Sequence, residues 1–370
     1  MTGSRIALPL AFACACAIGA LTVVPRGIEA QALLSMQDDP AALADRALDR
    51  LFNPAVVARE IEAALAADDA DLAKSFLDLA RDRHVEVDAA LAARVDAANS
   101  TAAAAARNAS SFGRGLLTGE PDDLVGLAGS AVGDLFVFGD IRDTVREGSR
   151  LVRGEHADPL ILGLACVGLA ITAGTYFSFG AAAPARIGAS VVKVARRTGR
   201  MTTQMTEWFG RAMRDVVDWP KLQRALASAS ITEPAVAVRA AREAVKAEKS
   251  GELMRVIGDV GRVQSKAGTQ AAVEGLKLAE SPREISRVAL LAEKKGTRTR
   301  AILKTLGRGA FLLTSSAFSL FSWMFTAVMM VWGFCSAIKR MAERATERYC
   351  ERRRSRRTRE RLRFAAMAAG

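Results

Sequence analysis

From Pro159 to Ala185 the chain carries no charged residue in 27 consecutive positions, and Asp158 and Arg186 bracket the run. A helix needs about 20 apolar residues to cross a hydrocarbon layer of roughly 30 Å. A second uncharged run, GAFLLTSSAFSLFSWMFTAVMMVWGFCSAI, covers 309–338. Wound as a helix at 1.5 Å per residue it is about 45 Å long, enough to cross with tilt. These two runs constrain the chain more than any other feature. They predict an all-α fold: a helical membrane protein carrying two soluble helical domains.

Ahead of the first run, Gly126, Gly129 and Gly133 fall at i, i+3 and i+7, one face of a helix. In water a glycine inside a helix costs about 1 kcal/mol relative to alanine. In lipid, small residues let two helix backbones approach closely. A close-packed span near 117–139 is expected from this pattern, with a glycine-rich loop as the alternative. Asp134 lies inside that apolar stretch. An ionisable group at membrane depth marks a functional candidate, and helix capping after a break at Gly133 is the other reading. Asp140, Arg142 and Asp143 follow closely and complete the set of candidate functional polar residues. Arg142, Arg146, Arg150 and Arg153 share a helix face. A short Arg-rich loop between two spans is held on the cytoplasmic side.

Charge divides the rest of the chain. Residues 33–158 carry 23 Asp/Glu against 13 Lys/Arg, and residues 185–308 carry 25 Lys/Arg against 12 Asp/Glu. The split predicts that the two parts face different surroundings. Residues 1–32 hold Arg5, an uncharged run from Ile6 to Val24 and then Ala30-Gln31-Ala32. This is the pattern of a secretory signal peptide, or of an N-terminal anchor. Residues 33–112 read as an acidic helical domain of hairpin or helical-repeat type. There Val57, Ile61 and Leu65, then Leu72, Phe76 and Leu79, recur at helical spacing around Asp68-Asp69-Ala70-Asp71. That polar break offers Asp side chains to cap the second helix. Residues 113–186 form the glycine-rich membrane region, with spans near 117–139 and 159–185. Residues 187–308 form a basic helical domain. In it Ser281, Pro282 and Glu284 stand at the N-cap, the first helical position and three residues past the cap, a capping box.

The last span, 309–338, bears Ser315, Ser319, Ser322 and Thr326 at spacings of 4, 3 and 4. Such a stripe on a membrane helix marks a helix–helix interface. The tail, 339–370, holds Arg352, Arg353, Arg354, Arg356 and Arg357. These read as a topogenic signal and as a lipid-headgroup contact, anionic lipid adding about 1 kcal/mol per residue near the surface. Expected partners are anionic membrane lipids and protein partners or a second copy. No nucleic acid is expected, because the basic domain offers few aromatics and no reading motif.

His84 and His156 lie far apart, and no HExxH, CxxC, GxSxG or phosphate-cradling GxxxxGK[ST] occurs. The five cysteines form no disulfide framework. No catalytic residue, metal site or cofactor is therefore expected, and enzyme is the weaker class. The stretch GDLFVFGDIRD, followed by Arg146-Glu147-Gly148, resembles the glycine-containing apolar segment ahead of toxin modules in secreted bacterial polymorphic toxins. The resemblance covers Gly126 to Gly154. No toxin module follows, so no activity is carried over. The whole chain resembles uncharacterised bacterial inner-membrane proteins, which implies a multi-pass inner-membrane location. The function expected is a non-catalytic structural or adaptor protein. The alternative is a channel, pore or transporter-like assembly lined by Asp134 and the Ser315/Ser319/Ser322/Thr326 stripe.

Overall fold

The computed structural model describes residues 38–100, 132–172, 182–227, 234–311 and 316–368, with positions 21, 25, 28, 31, 35 and 36. Regular structure among them is helical, apart from one isolated bridge between Val217 and Val245. The chain divides into two compact units, Asp39–Leu312 and the pair Met1–Asp38 with Leu313–Gly370.

The larger unit opens with α1 (Pro40–Leu51), α2 (Pro54–Ala66), α3 (Ala70–Asp82) and α4 (Ala89–Ala98). Each starts at a side-chain cap. Asp39 accepts from the N–H groups of Ala41 and Ala42, Asn53 from Val56, Asp69 from Leu72 and Asp88 from Leu91. Caps of this kind are worth about 1 kcal/mol each. Asp68 turns the chain at φ 56°, so the Asp68–Asp71 break separates α2 from α3. Val57, Ile61, Leu72, Phe76 and Leu79 all face the core.

The 27-residue uncharged run departs from expectation. After α5 (Val132–Val152) its described part forms α6 (Pro159–Thr172), and residues 173–181 lie outside the described residues. Every residue from 160 to 171 is buried. The helices packed on it are α5, α7 (Ala182–Arg197), α8 (Thr203–Val216) and α10 (Pro234–Ala244). Their outer positions, among them Glu207, Arg211, Arg214, Arg239 and Arg242, are exposed. A helix that is apolar all round must be enclosed, by lipid or by protein. Here protein encloses it, which corrects the span expected at 159–185. Of the span expected near 117–139, positions 132–139 are helical and α5 continues past them into charged sequence. Residues 117–131 lie outside the described residues.

After α9 (Trp219–Ala227), the unit closes with α11 (Gly251–Ala267), α12 (Thr269–Leu278), α13 (Pro282–Lys295) and α14 (Thr299–Leu306). Helices α7 and α11 cross with their backbones in contact. A Cβ at Gly188 would overlap the Ile257 carbonyl, and one at Gly261 would overlap the Pro184 carbonyl. Ser281 caps α13 as expected, but the Glu284 carboxylate reaches back to the Glu280 N–H, one residue short of the cap.

The acidic and basic stretches dock on each other instead of facing different surroundings. Lys294 pairs with Asp39 at 2.6 Å, Lys295 with Asp45 at 2.7 Å, and Arg298 with Asp82. Buried Arg300 grips both Asp69 oxygens at 2.6 and 2.5 Å and turns its Nε to Glu274 at 3.1 Å. The buried Ser75 hydroxyl donates to the Thr297 carbonyl at 2.7 Å and accepts from the Ala301 N–H at 2.9 Å. The described parts of the regions expected as separate domains, from residue 39 to 100 and from 187 to 308, thus belong to one compact unit.

In the smaller unit α15 (Ser316–Ala368) runs for 53 residues. It contains no proline, and Gly333 is its one glycine.

Candidate functional site

Two places hold the polar and apolar residues singled out by sequence. The first is a buried acid–base cluster. On α5, Asp140, Asp143, Thr144 and Glu147 fall at i, i+3, i+4 and i+7, and all four are buried. From α7, Lys193 reaches Asp140 Oδ1 at 2.6 Å and Asp143 Oδ2 at 3.0 Å. Arg197, one turn on, meets Asp143 Oδ1 at 2.6 Å. Glu147 accepts from the Asp158 N–H and from Arg150, both at 3.0 Å. Arg196 pairs with Asp158 at 2.9 Å. Gly168 of α6 makes room for the cluster, since a Cβ there would overlap the Asp140 carboxylate.

The two aspartates are not equivalent. Burial pushes the Asp140 carboxyl above its ordinary range, and Lys193 only partly offsets this. Burial also opposes the ionised form of Asp143, but Lys193 and Arg197 together hold its carboxyl below the usual range. Burial, with Asp140 nearby, pushes the Cys166 thiol up to about 12. The cluster works as an ionic joint between α5 and α7 over α6. Among the described residues no group of His, Cys, Asp or Glu is arranged to hold a metal ion.

The second place is α15. Among the described residues one helix is long and apolar enough to cross a membrane, over Ser322–Thr358. Phe325, Val328, Met329, Val331, Trp332 and Ile338 are exposed on it. Trp323, Ala327, Met330, Phe334 and Ala337, at spacings of 4, 3, 4 and 3, form its covered face. Ser322 is exposed, and Thr326 donates its hydroxyl to the Ser322 carbonyl at 2.7 Å. Arg352, Arg353, Arg354, Arg356 and Arg357 continue the same helix, fully exposed.

Of the residues singled out by sequence, Asp140 and Asp143 come together in one cluster. Arg142 stays at the surface, 3.7 Å from Asp143. Gly133 and Asp134 occupy helical positions near the start of α5. Gly126, Gly129 and Ser315 lie outside the described residues, and Ser319 is a helical position of α15. Asp134 and the serine stripe fall in different compact units. Sequence reasoning missed Lys193, Arg197, Gly168 and Arg300. The available signal was Lys193, alone among the apolar residues of VVKVA, with Arg197 one turn further on. Comparison with protein-family models, curated proteins and solved structures finds no match.

Proposed function

We propose that the chain is an integral membrane protein of the adaptor type, held in a bacterial inner membrane by α15 and presenting the Asp39–Leu312 bundle to protein partners. The observation that carries this reading is the exposure of large apolar side chains along the uncharged half of α15, immediately before its arginine-rich half. In water these side chains would be costly, each worth about 1.5–3 kcal/mol when removed from solvent. The positive-inside rule puts the arginine-rich half in the cytoplasm. The bundle then faces the opposite side, and because α6 belongs to that bundle, the Arg142–Arg153 stretch goes with it. The internal ion pairs of the bundle are occupied by its own residues, which suits a scaffold better than a catalyst.

The experiment is single-cysteine accessibility at Ser149, Ser265 and Ser355 in a Cys-free background, after alkaline carbonate extraction of membranes. Retention in the membrane with labelling of positions 149 and 265 from outside, and of 355 only after permeabilisation, is the expected result. Release by carbonate would remove the anchor. Labelling of 265 without 149 would restore a multi-pass arrangement with spans on either side of Arg142–Arg153.

A further inference from the structure

Resting on the membrane reading above, and against the expectation from sequence that no nucleic acid is bound, we infer that the arginine-rich half of α15 is a docking surface for the phosphate backbone of a nucleic-acid duplex, not a clamp on the headgroups beside it. The argument begins with the continuity of the helix from Ser316 to Ala368. Sharp helix kinks arise almost always at Pro, at Gly/Ser pairs, at π-bulges or where a group inserts into the ladder. The last glycine, Gly333, lies within the apolar half, and no proline follows it in the helix. Past Ile338 the rod therefore leads away from the bilayer. Arg352 stands about 21 Å and Arg357 about 29 Å along the axis from Ile338, at 1.5 Å per residue. The headgroup layer is only about 5–8 Å thick on each side, and charges are screened beyond about 8 Å at physiological salt. Even with the ~20° average tilt of a membrane helix, the cluster sits past the reach of its own leaflet. Lys339 and Arg340 are the residues placed at the headgroups.

The chemistry of the cluster selects the occupant. All five cations are arginine, whose guanidinium meets phosphate bidentately. At 100° per residue, positions 352, 353, 354, 356 and 357 spread over about 200° of the helix circumference. A protein partner touches one side of a helix and gains most of its affinity from buried aromatic anchors. The five arginines surround only Ser355, with no apolar side chain among them. A duplex groove instead lines both flanks of an inserted helix with phosphates. Arg359, Arg361 and Arg363 extend the same helix. With five arginines spread around the helix, the contacts are expected to go mainly to phosphate, which carries no sequence information.

The test uses the full chain in nanodiscs of neutral phosphatidylcholine, with a fluorescent 20-base-pair DNA duplex as the probe. Binding that weakens steeply as salt rises is expected. Changing Arg352, Arg353, Arg354, Arg356 and Arg357 together to Gln should weaken binding at least 10-fold at 0.1 M salt. It should also flatten the slope of log K against log salt by about 4, near 0.9 per lost phosphate contact. Co-elution of chain and nanodisc is scored separately. A chain that fails to enter the disc overturns the membrane reading, whereas one that enters but binds no duplex overturns this inference alone. Duplex binding equal in the Gln variant overturns it too. So does binding of poly-glutamate, at equal charge, as tight as that of the duplex, which would point to an acidic protein. In discs containing phosphatidylglycerol, a fluorophore on the exposed Cys350, in a variant with the other four cysteines changed to Ser, should escape quenching by headgroup-labelled lipid. Strong quenching there would mean that the tail lies on lipid and would overturn the inference.

Discussion

At the scale of single residues, two neighbouring carboxyl groups answer to pH in opposite senses. Asp143 is held below its ordinary range by Lys193 and Arg197 acting against burial. Its pairing therefore stabilises the fold above the unfolded value near 3.9 and is lost as pH falls through the lower folded value. Asp140 is pushed up by burial, so its ionised form is disfavoured by folding and its contribution fades as pH rises past the unfolded value. Asp143→Asn is thus expected to lower unfolding stability at pH 7 by about 3 kcal/mol, the scale for breaking a buried pair. Asp140→Asn should cost less than half as much, and the gap should narrow toward pH 4. Urea midpoints of the full chain in detergent measure both, and equal losses at pH 7 would count against the asymmetry. Glycines give a second contrast on one helix. Gly261 meets the Pro184 backbone, so Gly261→Ala forces α7 and α11 apart and should cost about 1–3 kcal/mol. Gly258 has open space where its Cβ would go, so Gly258→Ala should be neutral or stabilise by up to about 1 kcal/mol.

At the scale of elements, helix starts were legible because capping chemistry is local. Asp39, Asn53, Asp69 and Ser281 act within three residues of themselves, so four or five letters of sequence contain the whole interaction. The surroundings of α6 were not legible. Its run of apolar residues requires enclosure, but whether lipid or protein encloses it depends on faces of α8 and α10, which begin at residues 203 and 234, well beyond the end of α6 at 172. The same distance hid the partners of Asp140 and Asp143, whose cations lie 53 and 50 residues away. A thiol reports on this directly. Cys166, buried and pushed up to about 12, should stay unreactive to maleimide at pH 8 in the folded chain. Cys335 and Cys350, exposed on α15, should label once detergent admits the reagent. Rapid labelling of Cys166 would mean that α6 is not enclosed as described. The docking of α1–α4 on α13 and α14 offers another check. Arg300→Leu leaves Asp69 and half-buried Glu274 without their cation and should destabilise by about 3 kcal/mol. Hydrogen exchange should then quicken in 40–98 before it does in α7 and α11. Uniform quickening would show that the first four helices are no separate cooperative layer.

At the scale of the whole molecule, the charge asymmetry of the sequence was correctly seen and wrongly assigned, since most of it is spent inside one bundle. Lys294, Lys295, Arg298 and Arg300 answer Asp39, Asp45, Asp82 and Asp69. What remains unanswered is the excess on α15, and that is where an external polyanion is to be sought. The pairing of the first helices with the last ones of the bundle also sets the order in which the molecule can be made. Asp39 cannot meet Lys294 until the chain has grown 255 residues past it. The smaller unit is assembled from segments on either side of the bundle, so its halves are separated by the entire Asp39–Leu312 stretch. Contacts so remote in sequence are slow to form, because long loops must close before they are rewarded. During synthesis α1–α4 wait with their basic partners still unmade. A ribosome stalled before residue 294 would hold a chain whose acidic face is open, the state in which a chaperone would find it.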